Sequence, residues 1–345
     1  MKIPMTVGEI DKQWLSEALN TEVTACRVLD ANSGTTGRGV LSVDYAVESG
    51  FPGRLFAKFP PTDELQRAFV TSSGMGRREA RFYQQLSSEV PVRVPRGYFA
   101  DSDDSGEQYI MLLEHLEDSH CSFQNASENY SLDYVRAVLA SFAKLHAAYW
   151  RTPRFDSDLA WLAPPVQHEI AVDLVASALE QFSQDMPPTF QAMGELYLEH
   201  TDAIHKLWNE GEHTVIHGDV HDGNLFFDGA VPGFLDWALI ARAPAMRDVG
   251  YFLAGTLSPE DRDVHQRDLL AYYRAQLLEN GVSAPSLEEL WSQYQWHAAY
   301  VWVGATVTLA MGDAWQPINY TRKTLERLNG ALETLGSVEA IRSHI

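Results

Sequence analysis

The feature that most constrains the fold is a change of hydrophobic period along the chain. Between Cys26 and Lys58 the runs CRVLDA (26–31), VLSVDYAV (40–47) and RLFAKF (54–59) are rich in β-branched and aromatic residues. They are separated by the glycine-rich NSGTTGRG (32–39) and the turn SGFPG (49–53), the pattern of a hairpin meander. From Met75 to Leu86 the period changes: Ala80, Tyr83 and Leu86 recur at helical spacing, which predicts one helix there. Two short strands follow around RGYF and QYIMLLE, joined by Asp101–Glu107, whose like charges and small polar residues read as a solvated hairpin tip rather than a cation site. Beyond about Asp118 the helical period takes over, with Leu132, Val135, Leu139, Phe142, Leu145 and Tyr149 on one face of a helix that Ser131 caps. The expectation is an α+β protein in which a small antiparallel β-rich lobe with one main helix precedes a larger, mainly helical one.

Charge narrows the function classes. The 345 residues carry 26 Lys and Arg against 47 Asp and Glu, a net charge of -21, which repels nucleic-acid phosphate and anionic membrane surfaces. Cys26 and Cys121 lie too far apart for a CxxC motif or a thiolate zinc cluster, and their sparseness suits a reducing cytoplasm. The N-terminal MKIPMTVGEIDKQW meets charge too early for a secretory signal, so the mature chain is expected to begin at or near Met1. The longest uncharged apolar stretch, Ala298–Gly312, falls short of the roughly 20 residues that span a bilayer and reads as a buried helix.

The chemistry concentrates in Thr214–Phe252, TVIHGDVHDGNLFFDGAVPGFLDWALIARAPAMRDVGYF. Asp219 and Asn224 stand in the order D-x-x-x-x-N, followed by a turn at Asp228-Gly229 and a strand ending in Asp236. Phosphoryl transfer needs a carboxylate to orient and deprotonate the attacking hydroxyl, and hard oxygen ligands for the magnesium ions that bridge the phosphates. Asp219 fits the first role; Asn224 and Asp236 fit the second.

On HGDVHDGN (217–224) and LDW (235–237), the chain resembles the aminoglycoside phosphotransferase and choline-kinase-like superfamily of small-molecule kinases. The resemblance covers nearly the whole chain and implies a two-lobed, protein-kinase-like fold. It further implies a nucleotide-binding lobe at 1–113, a hinge at 114–118 and a catalytic and acceptor-binding lobe at 119–345. Asp219 then corresponds to the catalytic base, and Asn224 and Asp236 to the metal ligands. Lys58, ending the strand FAKF, takes the place of the lysine that reaches the α- and β-phosphates, and Glu79 on the next helix the acid that holds it. Alone, each reads as a surface residue; their order behind a glycine-rich hairpin and ahead of Asp219 gives them the functional reading. Glu114 and Leu116 occupy the hinge, where adenine pairs with backbone groups. The Ser33–Gly39 loop joins two strands and lacks GK followed by Ser or Thr, so it is neither a Rossmann nor a Walker loop, yet its position suits backbone N–H groups covering phosphates. His217 and His146 read as structural, and Asp248 resembles a family aspartate that stabilises the catalytic loop from the following helix.

Two other readings compete. His217, Asp219, His221 and Asp222 can be written as a metal cluster, HxDxHD, suggesting a hydrolase, but that leaves Asn224, Asp236, Lys58 and Glu79 unexplained. A non-catalytic nucleotide-binding module would be missing its base, lysine or metal ligand, and none is missing. The short interval between Asp236 and Asp248, with no APE sequence after it, leaves no room for a protein-kinase activation segment. The implied reaction is an ATP- and Mg-dependent transfer of the γ-phosphoryl group to a hydroxyl of a small molecule, whether aminoglycoside-, choline-, macrolide-, sugar- or steroid-like. The acidic balance of the helical lobe tilts the acceptor toward a cationic or neutral compound. Asp222, where many aminoglycoside-type members carry proline, weakens assignment to that branch. Trp291, Trp296, Trp302 and Trp315 read mainly as core rather than as an acceptor wall. Oligomeric state is not legible.

Overall fold

The structure, a computed structural model, describes residues 1–123, 130–165, 169–313 and 315–345. The chain divides into two compact units, Met1–Gln124 with Asn224–Ile240, and Asn125–Gly223 with Ala241–Ile345. A contiguous division at the hinge leaves 224–240 with the second part; by its contacts this segment belongs with the first.

The first unit is built on a five-stranded antiparallel sheet of β1 (Val23–Ser33), β2 (Gly37–Tyr45), β3 (Arg54–Phe59), β4 (Gly97–Ser102) and β5 (Tyr109–Glu114), in the order β1-β2-β3-β5-β4. β2 shows period-two burial, with Leu41 and Val43 turned to a core that also takes Trp14, Leu15, Leu55, Ala57, Ile110 and Leu112. β5, an interior strand, is buried from Tyr109 to Leu113, which is why YIMLL reads as a continuous apolar run. The glycine-rich connection is tighter than the sequence suggests. Only Gly34–Thr36 lies outside the strands, and Gly37 is a packing glycine: a Cβ there would fall 2.3 Å from the Phe59 ring.

Three helices accompany the sheet: α1 (Lys12–Leu19), α2 (Glu64–Ser73) and α3 (Met75–Gln85). The sequence reading finds α3 and misses α2, because α2 buries only Val70 and leaves Leu65 in solvent, so it carries no apolar stripe. Its signals are end signals instead: Asp63 accepts from the Gln66 N–H, and Gly74 closes it in the left-handed region at φ 69°. The 101–107 tip is a polar turn, in which Asp103 accepts from the N–H groups of Gly106 and Gln108. A three-stranded sheet of Ser122–Phe123, Leu225–Asp228 and Val231–Phe234 completes the unit.

The second unit is helical apart from the antiparallel pair His213–Ile216 and Ala241–Pro244. Ser131 caps the Leu132–Ala148 helix through the Tyr134 N–H, and Val135, Leu139, Phe142 and Leu145 are fully buried along it. The Ala298–Gly312 stretch belongs to the helix Leu287–Met311, started by a capping box of Ser286 and Glu289. That helix packs against the helices Met246–Thr256 and Ile318–Leu335. Trp302 is fully buried there, its indole N–H donating to Asn329 at 2.8 Å, and Trp296 is buried as well, whereas Trp291 and Trp315 are half-buried. Among the described residues, no helix is long and apolar enough to cross a membrane.

Candidate active site

In the first unit, β3 places Lys58 in the middle of the sheet, opposite Arg38 on β2 and Met111 on β5. The side chain is buried, and Nζ lies 2.5 Å from Glu79 Oε2 and 3.1 Å from Asp236 Oδ1. Three charges far apart in sequence thus form one ion triad. Burial pulls the Lys58 ammonium down, but the charges of Asp236 and Glu79 together lift it above its ordinary value. Burial lifts the Glu79 carboxyl to about 7, against the pull of Lys58.

Asp236 is held in the left-handed region at φ 62°, which costs a non-glycine residue about 1 kcal/mol. Its neighbours enforce that conformation. Trp237 is fully buried and stacks on Phe82 with centroids 4.3 Å apart and planes 13° from parallel, and its indole N–H donates to Phe234 O at 3.1 Å. Arg78 donates to Ala238 O at 2.9 Å. Arg78, Glu79 and Phe82 all belong to α3, so one helix sets both the partner of Lys58 and the backbone that carries Asp236.

Asn224 reaches the same end of the hairpin by register. Leu225 pairs with Phe234, and Leu235 N–H donates to Asn224 O at 3.0 Å, so the buried Asn224 and Asp236 flank the open end of the two strands. They bring one neutral and one anionic hard-oxygen donor together, a donor set that suits Mg2+. The turn at the other end uses Gly229 at φ 62°.

Arg93, which carries no motif, ties this hairpin to the predicted hinge. Its guanidinium donates to both carboxylate oxygens of Glu114 at 2.9 and 2.6 Å and to Asp228 at 2.8 Å, while its carbonyl accepts the Phe234 N–H at 2.9 Å. Burial works against the Glu114 carboxylate, but Arg93, Ser119 and the Arg96 N–H hold it below its ordinary value. The Glu114 backbone N–H donates to Arg96 O at 2.8 Å. Leu116 is buried just beyond, at the start of a short 3-10 turn.

In the second unit the strand His213–Ile216 runs into the HGD loop. Asp248, fully buried on the Met246–Thr256 helix, accepts the backbone N–H groups of His217 and Gly218, each at 2.8 Å. A carboxylate only accepts, so the buried His146 faces Asp248 with Nε2–H at 3.2 Å, and its Nδ1 accepts the Tyr273 hydroxyl at 2.7 Å. His217 Nδ1 accepts the Asp219 N–H at 3.2 Å. Gly218 sits at φ 87°, a conformation the loop needs a glycine to adopt. The bracing expected of His217 and Asp248 is thus visible atom by atom.

The Asp219 carboxylate is gripped from the same helix: Tyr251 O–H donates to Oδ1 at 2.9 Å. Burial first, then the charge of Asp219, pushes the Tyr251 phenol well above its ordinary pKa, so it remains a donor. Oδ2 faces His221 Nε2 at 3.7 Å, and His221 Nδ1 accepts the Gly223 N–H at 3.1 Å. Asp222 accepts the Tyr130 hydroxyl at 2.7 Å. The HxDxHD cluster does not assemble: His217 Nδ1 is engaged by the backbone, and among the described residues no group of three or more His, Cys, Asp or Glu is arranged to hold a metal ion. Tyr251 and Arg93 escaped the sequence reading because a Tyr one turn after an aspartate, or an Arg before a strand, looks like any packing or surface residue.

The family described as the phosphotransferase enzyme family matches residues 35–297. No protein of curated function matches the chain in sequence. Among solved structures, the fold is similar to that of aminoglycoside 2'-phosphotransferase-IIIa in its GDP complex, at TM-score 0.54 and 14% identity over 93% of this chain and 99% of that one. It is similar also to an ethanolamine kinase of Plasmodium vivax, at TM-score 0.51 and 10% identity over 91% and 83% of the two chains. A choline kinase of Cryptosporidium parvum matches at TM-score 0.51 and 14% identity over 90% and 88%. At such identities the likeness speaks for the kinase-like fold, and the family match, spanning most of the chain, speaks for the chemistry. The chain belongs to the phosphotransferase enzyme family and is a small-molecule kinase.

Proposed function

We propose that the protein transfers the γ-phosphoryl group of ATP, with Mg2+, to a hydroxyl of a small cationic or neutral acceptor. The observation that carries this reading is the ion triad in which the buried Lys58 and Glu79 meet the half-buried Asp236. A buried ion pair such as Lys58–Glu79 is poor evidence for stability, since desolvating the charges offsets their attraction, so its presence argues for a task. Lys58 neutralises phosphate charge and Glu79 keeps it pointed; Asn224 and Asp236 hold Mg2+, which when bound screens the charge of the phosphates. The Arg93 clamp on Glu114 sets the edge that reads adenine. Because the Glu114 N–H is already committed to Arg96, adenine pairs with the Glu114 carbonyl and the Leu116 N–H. In this assignment residues 1–113 form the nucleotide lobe, 114–118 the hinge and 119–345 the lobe that presents Asp219 and receives the acceptor.

Asp219 orients the acceptor hydroxyl and takes its proton as the oxygen attacks phosphorus. Kanamycin, gentamicin, ethanolamine and choline, named with structures of similar fold, set the range of amine-bearing alcohols to try first. The test is acceptor-dependent ADP release from magnesium ATP across aminoglycosides, choline-like amines, macrolides, sugars and sterols, with Asp219→Asn alongside. Turnover with one acceptor class that disappears in the variant is expected. Turnover that survives Asp219→Asn removes the base assignment, and a rise in melting temperature with magnesium ATP but no turnover with any acceptor points to a non-catalytic module.

A further inference from the structure

The helix Met246–Thr256 touches the HGD loop twice. Asp248 binds its backbone at His217 and Gly218, and Tyr251, on the same face three residues later, binds the Asp219 carboxylate at 2.9 Å. The Tyr251 ring is itself fixed: Tyr300 meets it edge-on at 6.4 Å, and the Arg247 guanidinium lies 4.4 Å from the centre of the Tyr300 ring. Arg247 is fully buried and donates to Trp208 O at 3.2 Å, so the support reaches into the core. A rigid donor on one oxygen of a carboxylate fixes its torsion and makes the other oxygen the more basic of the two. Here the other oxygen, Oδ2, is turned to the imidazole of His221, whose Nδ1 is engaged by Gly223 N–H, so that Nε2 carries the proton in the neutral ring.

We propose that Tyr251 is a positioning residue for the base, holding Asp219 by Oδ1 so that Oδ2 receives the acceptor's proton. The proposal rests on Asp219 being the base. In the step, the acceptor O–H bond breaks and its proton goes to Asp219 Oδ2 as the oxygen bonds to the γ-phosphorus. The bond from that phosphorus to the β–γ bridging oxygen breaks, and its electron pair leaves with ADP. Tyr251 and Tyr300, from the helices packed on the loop, and His221 face Asp219.

The test is Tyr251→Phe, which keeps the ring and removes the donor, read by kcat and by KM for magnesium ATP, with Asp219→Asn alongside. kcat falls about tenfold, while KM for magnesium ATP stays within about twofold, the split expected when alignment of the base is lost. An unchanged kcat, or a loss carried by KM alone, in a variant with wild-type melting temperature overturns the proposal. An inactive Asp219→Asn with a normal Tyr251→Phe removes only the positioning role. An active Asp219→Asn removes the base and the positioning role together.

Discussion

The triad of the first unit and the aspartate loop of the second hold their acids by opposite means. Glu79 and Asp236 are held by charge, through a buried ammonium that bonds to both. The Asp219 carboxylate is instead held at Oδ1 by a neutral donor, the Tyr251 phenol, while its own N–H donates to His217 Nδ1 and the loop backbone donates to Asp248 one layer further in. On the proposed assignment, the difference follows from what each acid would do. A group that meets polyphosphate and a cation has to exchange partners, and an ion pair can be re-formed around a new charge. A base has to keep its lone pairs pointed while its charge changes, which dipoles attached to a rigid helix do without being neutralised.

The sharpest way to break this contrast is to remove the charge of Asp219. Asp219→Asn keeps the Tyr251 contact and should lower kcat by about three orders of magnitude with the melting temperature unchanged, measured by ADP release and thermal unfolding. Next comes the support. Asp248→Ala orphans two buried backbone N–H groups and His146, and should cost about 3 kcal/mol in urea unfolding. Glu79→Gln tests the charged side: Lys58 keeps Asp236, so folding survives, and kcat/KM for the nucleotide should fall about tenfold.

The same variant has a pH signature. The folded Glu79 carboxyl is raised to about 7 from 4.5, so the folded state binds its proton more tightly than the unfolded chain. The stability this contributes is fully present below pH 4.5 and is lost as pH rises through about 7. Wild-type unfolding free energy, relative to Glu79→Gln, should therefore fall across that window and level off above it; a flat difference in urea titrations at stepped pH would remove the assignment. Tyr300→Phe is the smallest change. Its hydroxyl makes a long 3.4 Å contact to Gly218 O and bonds to the buried Arg247, so stability should fall by about 1 kcal/mol in urea unfolding, less than for Asp248→Ala.

Much of the fold was legible where a pattern is local. The alternation in VLSVDYAV, the unbroken YIMLL, the helical stripe from Leu132 to Tyr149 and the Ser131 cap are all decided by neighbours within a turn or two, and all are present. α2 was missed for the complementary reason: with one buried residue, it is a helix by its caps rather than by its face. Gly37 reads as part of the glycine-rich loop because a glycine that admits the Phe59 ring has the same letter as one that turns the chain.

For the proposed site, the sequence by itself determined the identities and order of the acids, the lysine and the amide, because phosphoryl transfer restricts which side chains would serve and the chain must present them in a workable succession. It also placed a turn at Asp228-Gly229 and a strand ending in Asp236; the observed register, Leu225 opposite Phe234, then sets Asn224 and Asp236 at one end of the hairpin. Only the tertiary structure decided that Trp237 stacks on Phe82, that Arg93 grips both Glu114 and Asp228, and that Tyr251 rather than a polar neighbour holds Asp219. Those contacts join elements far apart in the chain. Hydrophobic period specifies which face of an element is buried, but not which distant residue will be waiting there.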